Sequence, residues 1–277
     1  MSTIRVDPEK CILCGRCVET CPAHLFVMNE TVTVREEEHC IECGHCIAIC
    51  PEDAITHEKL DAMEFEIIGE RKEISPEDMM HFLRSRRSCR VYLDREVPRD
   101  VVEQLLLAGR YAPTANNSQD VAFTVVQNPV SVKKVARMAA EFFGQTVEML
   151  ESSPEPLPPA LQKNLRGMRM NYELALQGKD RVIRGAPMFI VVHASESISS
   201  QANCHYALLQ MVLMAEALGL GNCINGYMVA AAEYVAEIRA ELGVPEGSRV
   251  YGCMTLGYAK HRFRKIPPRR EAAVQWR

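Results

Sequence analysis

The chain has 277 residues, 47% of them hydrophobic and 25% charged, with a formal net charge of −4. That length suits about two domains, the larger able to bury an ordinary core, and the mild negative charge gives no electrostatic basis for binding nucleic acid. Residues 1–10 are polar and no later run reaches the roughly eighteen apolar residues of a membrane span, so a cytoplasmic protein acting on a small molecule or a redox partner is expected.

Eight of the twelve cysteines repeat one pattern: Cys11, Cys14, Cys17, Cys21-Pro22, then Cys40, Cys43, Cys46, Cys50-Pro51. Two residues between thiolates let three of them wrap one face of a cubane. The fourth, three residues further and followed by proline, is directed to the other cluster. The spacing predicts two [4Fe–4S] clusters with interlocked ligands: Cys11, Cys14, Cys17 and Cys50 for the first, Cys40, Cys43, Cys46 and Cys21 for the second. Gly15 and Gly44 follow the second cysteine of each copy, where a side chain would crowd the approach of backbone to inorganic sulfide. A zinc site would use only four of these ligands, and a disulfide framework would need an oxidising compartment for which no export signal is seen. Between the copies, residues 25–34 read as a hairpin around Asn29-Glu30. The segment up to about residue 58 resembles the bacterial two-cluster ferredoxins, which implies electron transfer. A bare carrier could end near residue 60, so the rest of the chain is expected to use the electrons.

The ferredoxin-like domain is taken as 1–60, with a linker over 61–78 that closes on Ser75-Pro76-Glu77-Asp78, a helix start with proline in the first turn. Over 79–277 the pattern alternates. Helices are predicted at 79–85, 97–110, 130–150, 204–218 and 231–242, and strands at 121–127, 188–193, 222–229 and 249–258. An α+β or α/β core follows from that order. Residues 152–185, proline-rich and then helical, are long for a plain connection and read either as a lid beside a site or as a solvated surface insertion.

Three motifs carry the chemistry of the larger domain. Arg86-Arg87-Ser88-Cys89-Arg90 clusters guanidinium groups and a hydroxyl suited to phosphate or a polar ring edge, although basic residues at a helix C-terminus also answer the macrodipole. The loop 112–119 (APTANNSQ) offers amides and hydroxyls to a heterocycle, or is simply a polar turn. In Gly219-Leu220-Gly221-Asn222-Cys223-Ile224-Asn225-Gly226, the last glycine can bring backbone N–H groups near a flat ligand. Cys89, Cys204, Cys223 and Cys253 lack ligand spacing and read as core residues, as do His193 and His205.

In this order and spacing, the three motifs resemble the nitroreductase family of FMN-dependent oxidoreductases over about residues 79–277. The resemblance implies an α+β sheet flanked by helices, and a homodimer binding FMN at the subunit interface. It points to Arg86, Arg87, Ser88 and Arg90 on the FMN phosphate, ribityl chain and pyrimidine edge. Asn117 would contact the ring from a loop shaped by Pro113 and Thr114, and the backbone amides of Asn225 and Gly226 would lie near flavin N5 and O4. Arg269 and Arg270, after Pro267-Pro268, stand where the family often places a basic residue on the phosphate. The sequence departs from the family at Gln119-Asp120-Val121, where many members have Q-P-W, so the substrate side can differ. The expected activity is reduction of a small electron-poor acceptor, nitro, quinone or similar, with electrons passing between the two [4Fe–4S] clusters and FMN. The donor would be an external ferredoxin or NAD(P)H. A redox sensor without turnover and a dehalogenase-like metabolite reductase stay open as alternatives, and no catalytic side chain is singled out.

Overall fold

The computed structural model describes residues 3–70, 72–154 and 157–277. It divides into two units: the first runs to Ile74 and includes Ala115–Ser118, and the second comprises Ser75–Thr114 and Gln119–Arg277.

The first unit is built twice over. Strand β1 (Ile4–Val6) pairs antiparallel with β4 (Ile55–His57), and β2 (Phe26–Met28) with β3 (Val32–Val34), the latter pair forming the expected hairpin. Two short helices, α1 (Arg16–Thr20) and α2 (His45–Ala48), each start after a glycine in the left-handed region, Gly15 at φ 74° and Gly44 at φ 71°. A side chain at either would be strained by its backbone alone. The copies also match at Leu13 and Glu42 and at His24 and Asp53, all at positive φ, so the repeat is one of backbone conformation as well as of cysteines. The core is small: Ile4, Leu25, Phe26, Val32, Ile47 and Ile55 with Cys17. The expected linker begins by folding onto this unit. Asp61 caps the 3-10 turn Ala62–Glu64 by accepting from the Met63 N–H, and the Phe65 ring lies 2.9 Å from where a Cβ on Gly44 would stand.

The second unit is a four-stranded antiparallel sheet in the order β5 (Ala122–Val126), β6 (Met188–Ser195), β8 (Ser248–Gly257), β7 (Gly221–Ile224). Helices cover both faces, so β6 is buried from Met188 through Ala194 and reads as an unbroken apolar run. Helix α3 (Pro76–Ser85) opens the unit, and on one face of the sheet lie α4 (Arg99–Arg110) and α7 (Ser200–Ala217), with Leu105, Ala207, Met211 and Val212 joining Met188, Ile190 and Met254 in one apolar cluster. On the other, α5 (Pro129–Glu151), α8 (Gly226–Tyr234) and α9 (Ala236–Glu241) supply Val135, Phe143, Met228 and Ile238 to a second cluster with Phe189 and Val191. Local signals set the helix starts: Ser75 accepts from Asp78 N–H and Asn128 from Val130 and Ser131 N–H, each with proline in the first turn.

Two predicted elements differ. The strand expected over 222–229 stops at Ile224, because Asn225 turns the chain into α8 by accepting the Met228 N–H on its own side chain. The helix expected over 231–242 begins five residues earlier, at Gly226, and is broken at Val235, whose extended backbone separates α8 from α9. The insertion contains α6 (Pro159–Leu176), which packs along α5: the Tyr172 ring would meet a Cβ on Gly144 at 2.6 Å. Among the described residues, no helix is long and apolar enough to cross a membrane.

Candidate functional site

In the first unit the eight thiols separate into two cavities. One is lined by Cys11, Cys14, Cys17 and Cys50, the other by Cys21, Cys40, Cys43 and Cys46. Each cavity thus draws three thiols from one copy and one from the other, and none of the eight is in a disulfide. Two receive backbone N–H groups, Cys50 from Ala54 at 3.3 Å and Cys40 from Glu42 at 3.4 Å. Burial pushes the Cys46 thiol up to about 11 despite the Ile47 N–H, and also raises Cys17. Bare thiols there stay protonated at neutral pH, so any metal must displace those protons on binding. No three His, Cys, Asp or Glu side chains among the described residues converge on the spacing of a single ion. Four thiols spread around a cavity suit a larger group, and the donor set fits an iron–sulfur cluster.

Sequence reasoning missed His57, a buried histidine on β4 whose Nε2 lies 3.7 Å from Cys40 Sγ. A lone histidine in a strand has no spacing signature; only the fold brings it to the thiol.

In the second unit, residues 86–92 leave α3 as extended chain pinned beside β7. Ser88 bridges Asn222, and Cys89 N–H donates to the Asn222 carbonyl at 2.7 Å. Gly221 is needed there, since a Cβ would stand 2.6 Å from Cys89 Sγ. Arg86, Arg87 and Ser88 are half-buried and Arg90 is exposed. Arg87 folds one guanidinium nitrogen onto the Arg86 carbonyl at 2.8 Å, while its Nε is buried with no acceptor. Arg86 lies near Glu216 of α7, whose carboxyl is raised by burial and partly restored by that guanidinium. Asn222 Oδ1, on the neighbouring strand, is likewise buried without a donor. An anionic, hydrogen-bonding ligand fits a segment with an unanswered Arg Nε.

The loop 112–119 is split between the units. Pro113 is exposed and Thr114 half-buried, its hydroxyl accepting Gln119 N–H at 3.0 Å. Asn117, at φ 52°, belongs to the first unit, donating from Nδ2 to the carbonyls of Ile41 and Glu42 at 3.1 and 3.0 Å. Asn225 is buried, its amide spent on Met228 N–H and the Val182 carbonyl and its N–H on the Cys253 carbonyl. Gly226 opens α8 on a side where an added Cβ would meet no atom within 4 Å. It lines an open groove of about 700 Å³ with His205, Leu209, Ile224, Tyr234 and Tyr251. Tyr206, Leu209, Ile224 and Tyr234 leave half or more of their surface exposed along α7, β7 and α8. Arg269 and Arg270 lie in an exposed extended tail. The structure therefore gathers Arg86–Ser88 beside Asn222 of β7, and sets Gly226 at the head of the next helix.

The description of the nitroreductase family matches residues 83–258, and that of the 4Fe–4S dicluster domain residues 3–51. A chloronitrobenzene nitroreductase of Comamonas testosteroni is 26% identical over 64% of this chain and 85% of its own. An Archaeoglobus fulgidus protein, provisionally named an NADH dehydrogenase/NAD(P)H nitroreductase, is 27% identical over 66% of this chain and 87% of its own. In structure, a nitroreductase of Bacteroides fragilis with bound FMN superposes with a TM-score of 0.57 at 24% identity, covering 72% of this chain and 98% of that one. With the family match spanning well over half of its length, the chain belongs to the nitroreductase family of oxidoreductases and carries a 4Fe–4S dicluster domain ahead of that fold.

Proposed function

We propose that this chain is an FMN-dependent reductase in which electrons pass between two [4Fe–4S] clusters and FMN to reduce a small electron-poor acceptor such as a nitro compound or quinone. The observation that carries the reading is the division of eight thiols, four and four, between two cavities in a chain whose larger unit has the nitroreductase fold. Cys11, Cys14, Cys17 and Cys50 would hold one cluster, and Cys21, Cys40, Cys43 and Cys46 the other. Clusters exchange single electrons and FMN takes up one or two, which lets a one-electron supply serve a two-electron reduction.

This chain's residues bind and orient. Arg87, with its unanswered Nε, and Arg86, Ser88 and Arg90 beside it, would hold the phosphate, ribityl chain and pyrimidine edge of FMN. Pro113 and Thr114 would shape the loop on the ring side, while the Asn117 amide N–H groups, expected on the ring, are given to the Ile41 and Glu42 carbonyls instead. The Gly226 amide would face the ring, positioned by Asn225, whose own N–H is given to the Cys253 carbonyl, and the N-terminal dipole of α8 would favour negative charge developing there. Arg269 and Arg270 are proposed to add to the phosphate site. The exposed apolar side chains of α7, β7 and α8 support a homodimer with FMN at the subunit interface, since such a patch is what a second copy would cover. The donor is an external ferredoxin, or NAD(P)H acting on the flavin.

The test is anaerobic stopped-flow absorbance of the reconstituted protein, mixed separately with reduced ferredoxin and with NAD(P)H. Cluster bands that bleach before FMN, at a rate competent for turnover of a nitro or quinone acceptor, support inward flow. Fast FMN reduction by NAD(P)H with the clusters filling afterwards reverses that direction, and protein that takes up no flavin overturns the reading.

A further inference from the structure

We infer that His57 tunes one of the two clusters, raising the potential of the centre held by Cys21, Cys40, Cys43 and Cys46 and so making the two centres of this repeat inequivalent. The inference rests on the cysteine assignment above.

The two copies match closely at their cysteines, their left-handed glycines and their strands, so a difference between them stands out. His57 on β4 follows Cys50 at the same distance as Met28 on β2 follows Cys21. The two side chains are treated differently by the fold: His57 is 7% exposed and Met28 43%. Met28 lies over Gly15, its Cε 3.5 Å from where a Cβ would stand, and a thioether has no N–H to donate. His57 does.

Its protonated nitrogen follows from its contacts. Nδ1 accepts the backbone N–H of Lys59 at 3.0 Å, so in the neutral ring the proton sits on Nε2. Nε2 is the nitrogen 3.7 Å from Cys40 Sγ, a sulfur-range hydrogen bond with the histidine as donor. The turn carrying the acceptor bond is itself fastened, because Lys59 pairs with Glu42, two residues beyond Cys40. The ring therefore has a fixed tautomer aimed at one thiol.

Both proposed ligand sets include a thiol that receives a backbone N–H, Cys50 from Ala54 and Cys40 from Glu42. The side-chain N–H from His57 adds a further donor to Cys40 only. A hydrogen bond to a cysteine sulfur withdraws electron density from the iron and favours the more negative, reduced cluster, which raises its potential. His57 acts through Cys40, which makes it a positioning residue with an electronic effect rather than a catalytic one.

The test is a potentiometric titration followed by EPR on the full chain, reconstituted anaerobically, comparing wild type with His57→Leu and His57→Gln. Iron is counted first. With eight irons per chain, His57→Leu is expected to move one reduction wave to lower potential and leave the other in place. His57→Gln, which keeps an N–H donor, is expected to move it less. The wave that moves should also be the one perturbed by Cys43→Ser. Iron-replete His57→Leu protein with both waves unmoved, or both moved equally, overturns the role of His57 while leaving the cluster assignment standing. Wild-type chain that fails to take up eight irons overturns the assignment and the inference together.

Discussion

The two units of this chain are stabilised by different means. The second has a sheet covered on both faces, with large side chains such as Phe143, Phe189, Met211 and Ile238 essentially out of solvent. The first has few such residues, and several members of its apolar cluster are the thiols themselves. A small unit with little apolar area to bury needs another source of stability, and bound metal is a common one. The cysteines of the first unit therefore hold its fold together as well as its chemistry, whereas the second unit's site is laid on a scaffold that stands without it.

That contrast can be broken most directly by removing iron. Anaerobic chelation is expected to open residues 3–70 to protease while leaving the sheet of the second unit intact, as read by limited proteolysis and mass spectrometry. Protection of both units after complete iron loss would show that the first has a self-sufficient core. The reverse perturbation is Phe189→Ala, on the central strand β6, which should cost about 3–5 kcal/mol through lost burial and the cavity left behind. Urea denaturation should show that loss in the second unit, with the cluster absorbance of the first unaffected at low denaturant.

Smaller effects sharpen the difference between scaffold and site. Arg87→Ala removes a guanidinium whose Nε has no protein partner, so folding should barely change. FMN binding should weaken by about tenfold to a hundredfold if that group makes a charge-assisted bond worth about 1.5–3 kcal/mol, measured by quenching of flavin fluorescence. Asn225→Ala strips the cap of α8 and the bond to the Val182 carbonyl, and a loss of about 1 kcal/mol in thermal stability is expected from the cap. The smallest effect is in pH. His193 is buried on β6 with Nε2 3.2 Å from Thr124 Oγ1, and burial lowers its pKa below the ordinary histidine value of about 6.5. The unfolded chain then takes up the proton first as pH falls. Stability present above that ordinary value should decline as the pH drops from it toward the lowered folded value, and His193→Gln should flatten the decline in a melting series.

Much of this was legible in the residues, for reasons that also explain the failures. The cysteine repeat is a local code, since ligand spacing has to suit the cluster whatever the rest of the chain does, and the hairpin between its copies follows from turn chemistry. Long periodic helices such as α4 and α5 were found within a few residues of their ends. The error at 222–229 has a physical origin: Gly226–Ala232 is apolar all round because α8 is covered on most sides, and such a run has no period to separate helix from strand. The signal that could have decided it was Asn225 itself, a preferred N-cap residue immediately ahead of the run. His57 and the unanswered Nε of Arg87 were beyond sequence reasoning, because each depends on atoms brought together from elements far apart in the chain.

The assignment of Ala115–Ser118 to the first unit has a consequence for how this protein can be taken apart. The backbone leaves that unit after Ile74, returns to it at Ala115, and leaves again after Ser118, so covalent chain joins the two units at three places. A single nick in the segment before Ser75 would leave the N-terminal piece with no covalent tie to the rest of the chain, held through its contacts with Ala115–Ser118 alone. A fragment ending at residue 74 would lack Asn117, and with it the donor to the Ile41 and Glu42 carbonyls on either side of which Cys40 and Cys43 stand. The ferredoxin-like unit is thus complete only with Ala115–Ser118, a piece of chain that reaches it from forty residues beyond its main run.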